Sequence, residues 1–378
     1  MSNNPLAEER PEGTRLEARP GAVGDPPAHY GNPVGEQRVL EAGEAIVMLS
    51  DRDVLTVSGE DRLSWLDSLT SQRLTGLAPG ESAETLLLDP SGRVEFAARV
   101  LDDGTTTWLL LDAGTGAGLL AFLDRMRFML RVEVADRSAE FATVGTLGSP
   151  VPAALLQATA EPHGIPLVWH DPWTAVVAGG HQYATTPAHP GKSWHYSEAL
   201  VERSRLGELL AVPAAGTLAL EALRIAAWRP RAATEVDATT IPHELDWLRS
   251  AVHLTKGCYR GQETVAKVHN LGHPPRRLVM LHLDGSDGVL PSAGDEVSAP
   301  SADGTGTVVG RVTAAGLHHE LGPIALAVVK RSADPAATFT VATEDGTVVA
   351  AAQELVVPPD AGAEADIPKL PRLGAVKR

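Results

Sequence analysis

Eight consecutive residues concentrate more chemistry than any other stretch of this chain: Lys256, Gly257, Cys258, Tyr259, Arg260, Gly261, Gln262 and Glu263. They supply a thiol, a phenol, an amide, a carboxylate and two cations, punctuated by two glycines. Glycine permits backbone angles and close approaches that a Cβ resists. Lys256 and Arg260 each stand two residues from Cys258, near enough in sequence to favour the thiolate, the nucleophilic form of cysteine. The octad can be read as a reactive-thiol segment, with Cys258 the reacting residue, Lys256 its partner, and Gly257, Tyr259, Gly261, Gln262 and Glu263 in support. The competing reading is a buried, inert thiol on a turn, the commonest state of a lone cysteine.

Other candidate groups are weaker. His243, His253, His269, His273 and the adjacent His318 and His319 offer nitrogen ligands, but none has the helical spacing with glutamate that marks a zinc hydrolase. Gly272 and Pro274 argue against a helix carrying both His269 and His273. No stably bound metal is expected. Gly114, Gly116 and Gly118 lack the third glycine of a dinucleotide fingerprint, since position 119 is Leu, and read as a plain turn before a helix.

The whole chain limits what such groups can meet. Its 378 residues exceed one ordinary core, so two or three packed units are expected. With 32 Lys plus Arg against 48 Asp plus Glu, the formal charge of −16 repels nucleic acid and anionic membranes at long range. A small anionic ligand would need a local cluster of Arg and Lys. One cysteine cannot form an intrachain disulfide, and no run reaches the roughly 18 apolar residues of a membrane helix. A cytoplasmic monomer is expected, with no nucleic acid or membrane partner.

The elements that must position these groups read as α+β. Residues 1–36 are rich in Pro, Gly, Glu and Ala and read as a disordered leader, as do residues 358–378 as a tail. A first α+β subdomain is expected over residues 37–138: strands at 45–49 and 54–57, a helix with Leu63, Trp65, Leu66 and Leu69, then an antiparallel meander and a helix at 119–130. A second, over residues 139–274, carries the octad, with helices expected at 199–210 and 218–228, the latter ended by Pro230. Residues 275–357 hold short strands between Gly and Asp turns, which suggests a small β-barrel.

Here a family resemblance enters. The octad, continued by Thr264, Val265, Ala266, Lys267, Val268, His269, Asn270, Leu271 and Gly272 and then by Arg276, Arg277 and Leu278, resembles the signature of the YgfZ family and its mitochondrial relatives. The phrases Ile241-Pro242-His243-Glu244-Leu245 and Glu221-Ala222-Leu223-Arg224-Ile225 fit the same family. Leu69-Thr70-Ser71-Gln72, the Gly92-Arg93 turn and the barrel strands around Gly310-Arg311-Val312-Thr313 and Ala325 to Lys330 resemble it more distantly. The likeness spans residues 37–357.

That resemblance implies the fold of the glycine-cleavage T-protein: two α+β subdomains around a central pocket for tetrahydrofolate or a one-carbon derivative, plus a C-terminal β-barrel. It also implies an accessory role, rather than turnover, in the assembly or repair of iron–sulfur proteins, with those proteins or their assembly factors as partners. A pterin edge needs a hydrogen-bonding carboxylate and a glutamate tail needs cations, so Glu235 or Glu244 would meet the one and Arg224, Arg229, Arg231 or Lys267 the other. The chain departs from the family at Lys267, where Arg is usual, and at Arg229 to Ala233, where a Gly-x-Pro phrase is usual. The alternative is a tetrahydrofolate-dependent aminomethyltransferase or methyltransferase, which needs a base; Asp89, Asp112 and Glu235 are candidates by type. A module that keeps the fold and binds neither folate nor thiol partners is a third reading.

Overall fold

The computed structural model describes residues 21–365 apart from Asp287 and residues 302–305. In chain order its elements are α1 (Pro33–Glu41), β1 (Ile46–Leu49), β2 (Asp53–Ser58), α2 (Arg62–Leu69), β3 (Ser82–Leu88), β4 (Val94–Asp102), β5 (Thr106–Leu111), α3 (Gly116–Met126), β6 (Glu133–Asp136), β7 (Phe141–Leu147), α4 (Ala153–Ala158), β8 (Val168–His170), β9 (Tyr196–Glu202), β10 (Ala214–Ala215), α5 (Thr217–Ala226), α6 (Ala232–Glu235), α7 (Gln262–Leu271), β11 (Arg276–Leu283), β12 (Glu296–Ala299), β13 (Thr307–His318), β14 (Gly322–Lys330), β15 (Thr338–Ala342) and β16 (Val348–Leu355).

They form the expected α+β arrangement with a C-terminal barrel. One sheet runs β3-β4-β5-β2-β6, a second runs β10-β1-β7-β9-β8, and β11-β14-β13-β12-β15-β16 closes on itself as a barrel. Nearly all pairing is antiparallel, as hairpins with short turns dictate; β1 with β10 is parallel. Barrel strands such as β15 alternate exposed and buried residues, placing Phe339 and Val341 in the barrel core. The glycine run at 114–118 is a turn into α3, beside an antiparallel sheet.

One apolar cluster binds the three units. It joins Leu86 and Leu88 of β3, Ile225 of α5, Trp247, Tyr259 of the octad, Val265 of α7, and Leu278 and Leu326 of the barrel. The octad is thus built on the seam between both subdomains and the barrel.

The structure departs from the sequence reading in several places. The stretch expected as a leader is ordered from residue 21, because it caps α5: Pro27 and Ala28 carbonyls accept from Thr217 and Leu218, and Glu36 accepts from Gly216, Tyr30 and Asn32. Residues 1–20 and 366–378 lie outside the described residues. The division at residue 138 is crossed by α1 and β1, which pack with the second sheet through β7 and β10. Residues 199–210 are not a helix; β9 runs to Glu202 and a 3-10 turn follows. Every β9 residue up to Val201 is buried, so the alternation that would betray a strand is missing. Residues 358–365 are ordered too, their backbone bonded to the end of α7 at His269 and Asn270.

Candidate functional site

The octad is a braced loop leading into α7. Lys256, its side chain 1% exposed, donates to the carbonyls of Asp67, Thr70 and Gln72, pairs with the Asp67 carboxylate at 3.3 Å, and lies over the Tyr259 ring. Burial pulls its pKa below the ordinary lysine value, and Asp67 opposes that pull. Gln262 donates back to the carbonyls of Lys256 (3.2 Å) and Gly257 (3.4 Å), closing the loop. Gly261 adopts φ +83°, and a Cβ there would stand 2.6 Å from the Asp89 carbonyl in the β3–β4 turn. Gly92, of that same turn, abuts Thr264. Two elements read as distant echoes of the family, residues 69–72 and the Gly92-Arg93 turn, therefore converge on the octad.

Cys258 stands exposed at the tip, which excludes the buried-thiol reading. Its two sequence neighbours do not serve it as expected. Lys256 is committed to carbonyls, and Arg260 pairs with Glu95 at 2.6 Å and packs over Phe122. Tyr259 is buried and structural, while Glu263 is exposed in the first turn of α7, where the helix dipole favours an acid.

A second feature lies between the sheets. A cavity with about 530 Å³ of free space, mouth included, is lined by Arg52, Arg99, Arg224, Arg229 and Arg231 and by Glu84, Asp112, Asp171 and Glu221, with Trp194, Tyr196 and Trp247 among the walls. Arg229 bridges Glu84 (2.7 Å) and Asp171 (2.8 Å) and stacks on Trp173; Arg224 bridges Glu221 and Glu235. Behind this lining Glu198 is fully buried: its Oε1 accepts from Arg52 and Tyr196 (2.9 Å) and forms an ion pair with Arg99 (3.3 Å), whereas its Oε2 has no partner among the described residues. Burial alone would raise Glu198, but Arg52 and Arg99 hold it below the usual carboxylate range. Asp112 likewise lies well below that range, burial being outweighed by Arg99, Arg52 and Arg231. At the cavity, Arg231 is 30% exposed along its side chain and its Nε is unpaired.

The comparisons with known proteins agree with this architecture. No protein-family model matches the chain. A putative chloroplastic transferase of Arabidopsis thaliana is 24% identical over 311 residues, covering 78% of this chain and 67% of that protein. The aminomethyltransferase of a Nostoc species is 27% identical, covering 84% and 85%, and the tRNA-modifying protein YgfZ of Colwellia psychrerythraea is 22% identical, covering 63% and 71%. The glycine cleavage system aminomethyltransferase T of Bartonella henselae superposes over 91% of this chain and 96% of its own, at a TM-score of 0.67 and 16% identity. The chain has the fold of that aminomethyltransferase T and is similar in sequence, over most of its length, to aminomethyltransferase and YgfZ relatives.

The expected pocket residues divide. Arg224, Arg229 and Arg231 do line the central cavity, although the first two are fully engaged by acids. Glu244 does not: it is wholly buried against Arg276 (2.7 Å), because β11 delivers that guanidinium to it. Lys267 is exposed on α7, and Glu235 sits behind Arg224. Sequence reasoning missed Arg52, Arg99, Glu84, Asp171, Tyr196 and Glu198. Charged residues inside apolar strand runs, as Arg99 in β4, were the available signal; the helix assigned over 199–210 hid the strand that carries Glu198.

Proposed function

We propose that the chain binds tetrahydrofolate, or a one-carbon derivative, in the central cavity and supports the assembly or repair of iron–sulfur proteins through the thiol loop. The observation that carries the folate half is Glu198, a buried ionised carboxylate with one oxygen unpaired beside an arginine-lined cavity. A pterin edge offers adjacent N–H donors that suit such an oxygen, and Arg231 suits the tail carboxylates. Folate-related function is what the T-protein superfamily implies. The iron–sulfur half is supported by the octad's likeness to the YgfZ signature and by the exposure of Cys258, the chain's single thiol. In cells lacking the chain, reintroducing the Cys258→Ala variant is expected to leave iron–sulfur enzyme activities at the level of the deletion. Full restoration by that variant would remove the thiol from the account.

The transferase reading draws on two relatives named as transferases. Its candidate bases have other partners: Asp112 accepts from Arg99 and from the Ala233 amide, Glu235 from Arg224, and Asp89 from the Arg93 amide. A carboxylate has about four lone-pair sites, so these contacts do not by themselves remove any of the three as a base, and it is the octad's likeness to the YgfZ signature that favours the accessory role. Turnover of a methylamine donor with tetrahydrofolate, lost in Asp112→Asn, would establish the transferase instead.

A further inference from the structure

No residue of the octad lines the central cavity, yet an unbroken chain of hydrogen bonds joins the two. On the cavity wall, Arg229 Nη2 donates to Glu84 Oε1 (2.7 Å). The second oxygen of Glu84 accepts from Ser250 Oγ (2.6 Å). The Ser250 carbonyl accepts from Gln72 Nε2 (3.0 Å), and the Gln72 carbonyl accepts from Lys256 Nζ (2.7 Å). All five residues are buried. The Gln72 amide has one orientation, because its Oε1 accepts from the Arg73 N–H at 2.9 Å and so turns Nε2 to the Ser250 carbonyl. Neighbouring Ser71 pins the same segment to Leu86 of β3 and to Ala251, which leaves the Gln72 side chain as the link that ends on the charged wall.

In a buried chain each bond is stronger than at the surface and polarises the next. A shift of the wall acid is therefore felt at Ser250, and Gln72 passes it to the carbonyls that brace Lys256. We propose that Ser250 and Gln72 are positioning residues that couple the cavity wall to the thiol loop, so that a ligand filling the cavity orders the loop and sets how Cys258 is presented to its partners. The ligand's part in this rests on the folate reading, whereas the coupling itself concerns the Arg229–Glu84 pair and holds for any occupant that fixes that pair. A bound ligand restricts the wall, and the loop then has less freedom left to lose when a partner docks.

Hydrogen–deuterium exchange of the octad amides, read by mass spectrometry in the full chain, tests this in two arms. Without ligand, Glu84→Gln and Ser250→Ala are each expected to speed octad exchange about threefold while exchange in β11 stays unchanged, and the double variant to do no more than either single one. With tetrahydrofolate bound, as calorimetry confirms, octad exchange in the wild-type chain is expected to slow about threefold. Ser250→Ala leaves every lining residue in place and is expected to bind the ligand and lose the slowing. Multiplying effects of the two substitutions, or no effect of either, overturn the proposal. So does bound tetrahydrofolate that slows octad exchange equally in wild type and Ser250→Ala, or in neither, a result that leaves the folate reading intact. Absence of binding refutes the folate reading, and the ligand-free arm then decides the coupling alone. Should Ser250→Ala fail to fold or to bind, Gln72→Met cuts the next link and takes its place.

Discussion

Lys256 and Cys258 are two residues apart and have opposite structural roles. The ammonium of Lys256 satisfies three carbonyls that lie 184 to 189 residues upstream, so it fixes the end of α2 and the loop after it against the octad. Lys256→Ala would leave those carbonyls buried and unpaired, and is expected to lower stability by about 3 kcal/mol in urea denaturation. Cys258→Ser changes an exposed atom and is expected to stay within about 0.5 kcal/mol. Equal stability of the two variants would show that Lys256 is not the brace. The octad's identity was legible in the sequence, but the roles of its members were not, because their partners come from β3, β4 and the α2–β3 loop. Proximity along the chain suggested that Lys256 and Arg260 activate the thiol; in the fold, a carbonyl cage and Glu95 take them instead.

At the scale of elements, the turn before the octad carries an unusual acid. The 3-10 turn Pro242–Leu245 ends at Asp246, which is fully buried in the left-handed region at φ 54° and accepts from the Tyr183 amide at 2.6 Å. Burial raises its pKa to about 7, against the opposing pull of that amide and Arg249. The folded value exceeds the unfolded one, so the folded state holds the proton more tightly. The stability this contributes is complete below about pH 4 and is lost as pH rises to about 7, a change of about 4 kcal/mol. Asp246→Asn, which tolerates the same backbone conformation, is expected to remove this component. Its stability relative to wild type, followed by denaturation from pH 4 to 8, should climb to pH 7 and then level; a constant difference would contradict the assignment. The barrel was legible in advance from short apolar runs between Gly and Asp turns, and β15 and β16 add a clean alternation of exposed and buried residues. Strand β9 was not, being buried on both faces, and α7, with Val265 as its buried residue, shows little apolar stripe to betray a helix.

Across the whole molecule, an acidic chain gathers arginines inward. Arg52, Arg99, Arg224, Arg229 and Arg231 come from the β1–β2 turn, β4, α5 and the segment after it, and meet only because the two sheets and α5 enclose one cavity. The fold class was visible in the order of elements and in the family likeness, whereas the cavity's wall was not, since no local pattern marks residues that converge from so many elements. The unpaired Glu198 oxygen lies behind that wall and is the feature that the proposed folate would complete. Calorimetric titration of tetrahydrofolate into the wild-type chain, Glu198→Gln and Cys258→Ala tests this most directly. One molecule bound per chain is expected, weakened at least about tenfold in Glu198→Gln and unchanged in Cys258→Ala. Absence of binding to the wild-type chain, or binding indifferent to Glu198→Gln, would contradict it.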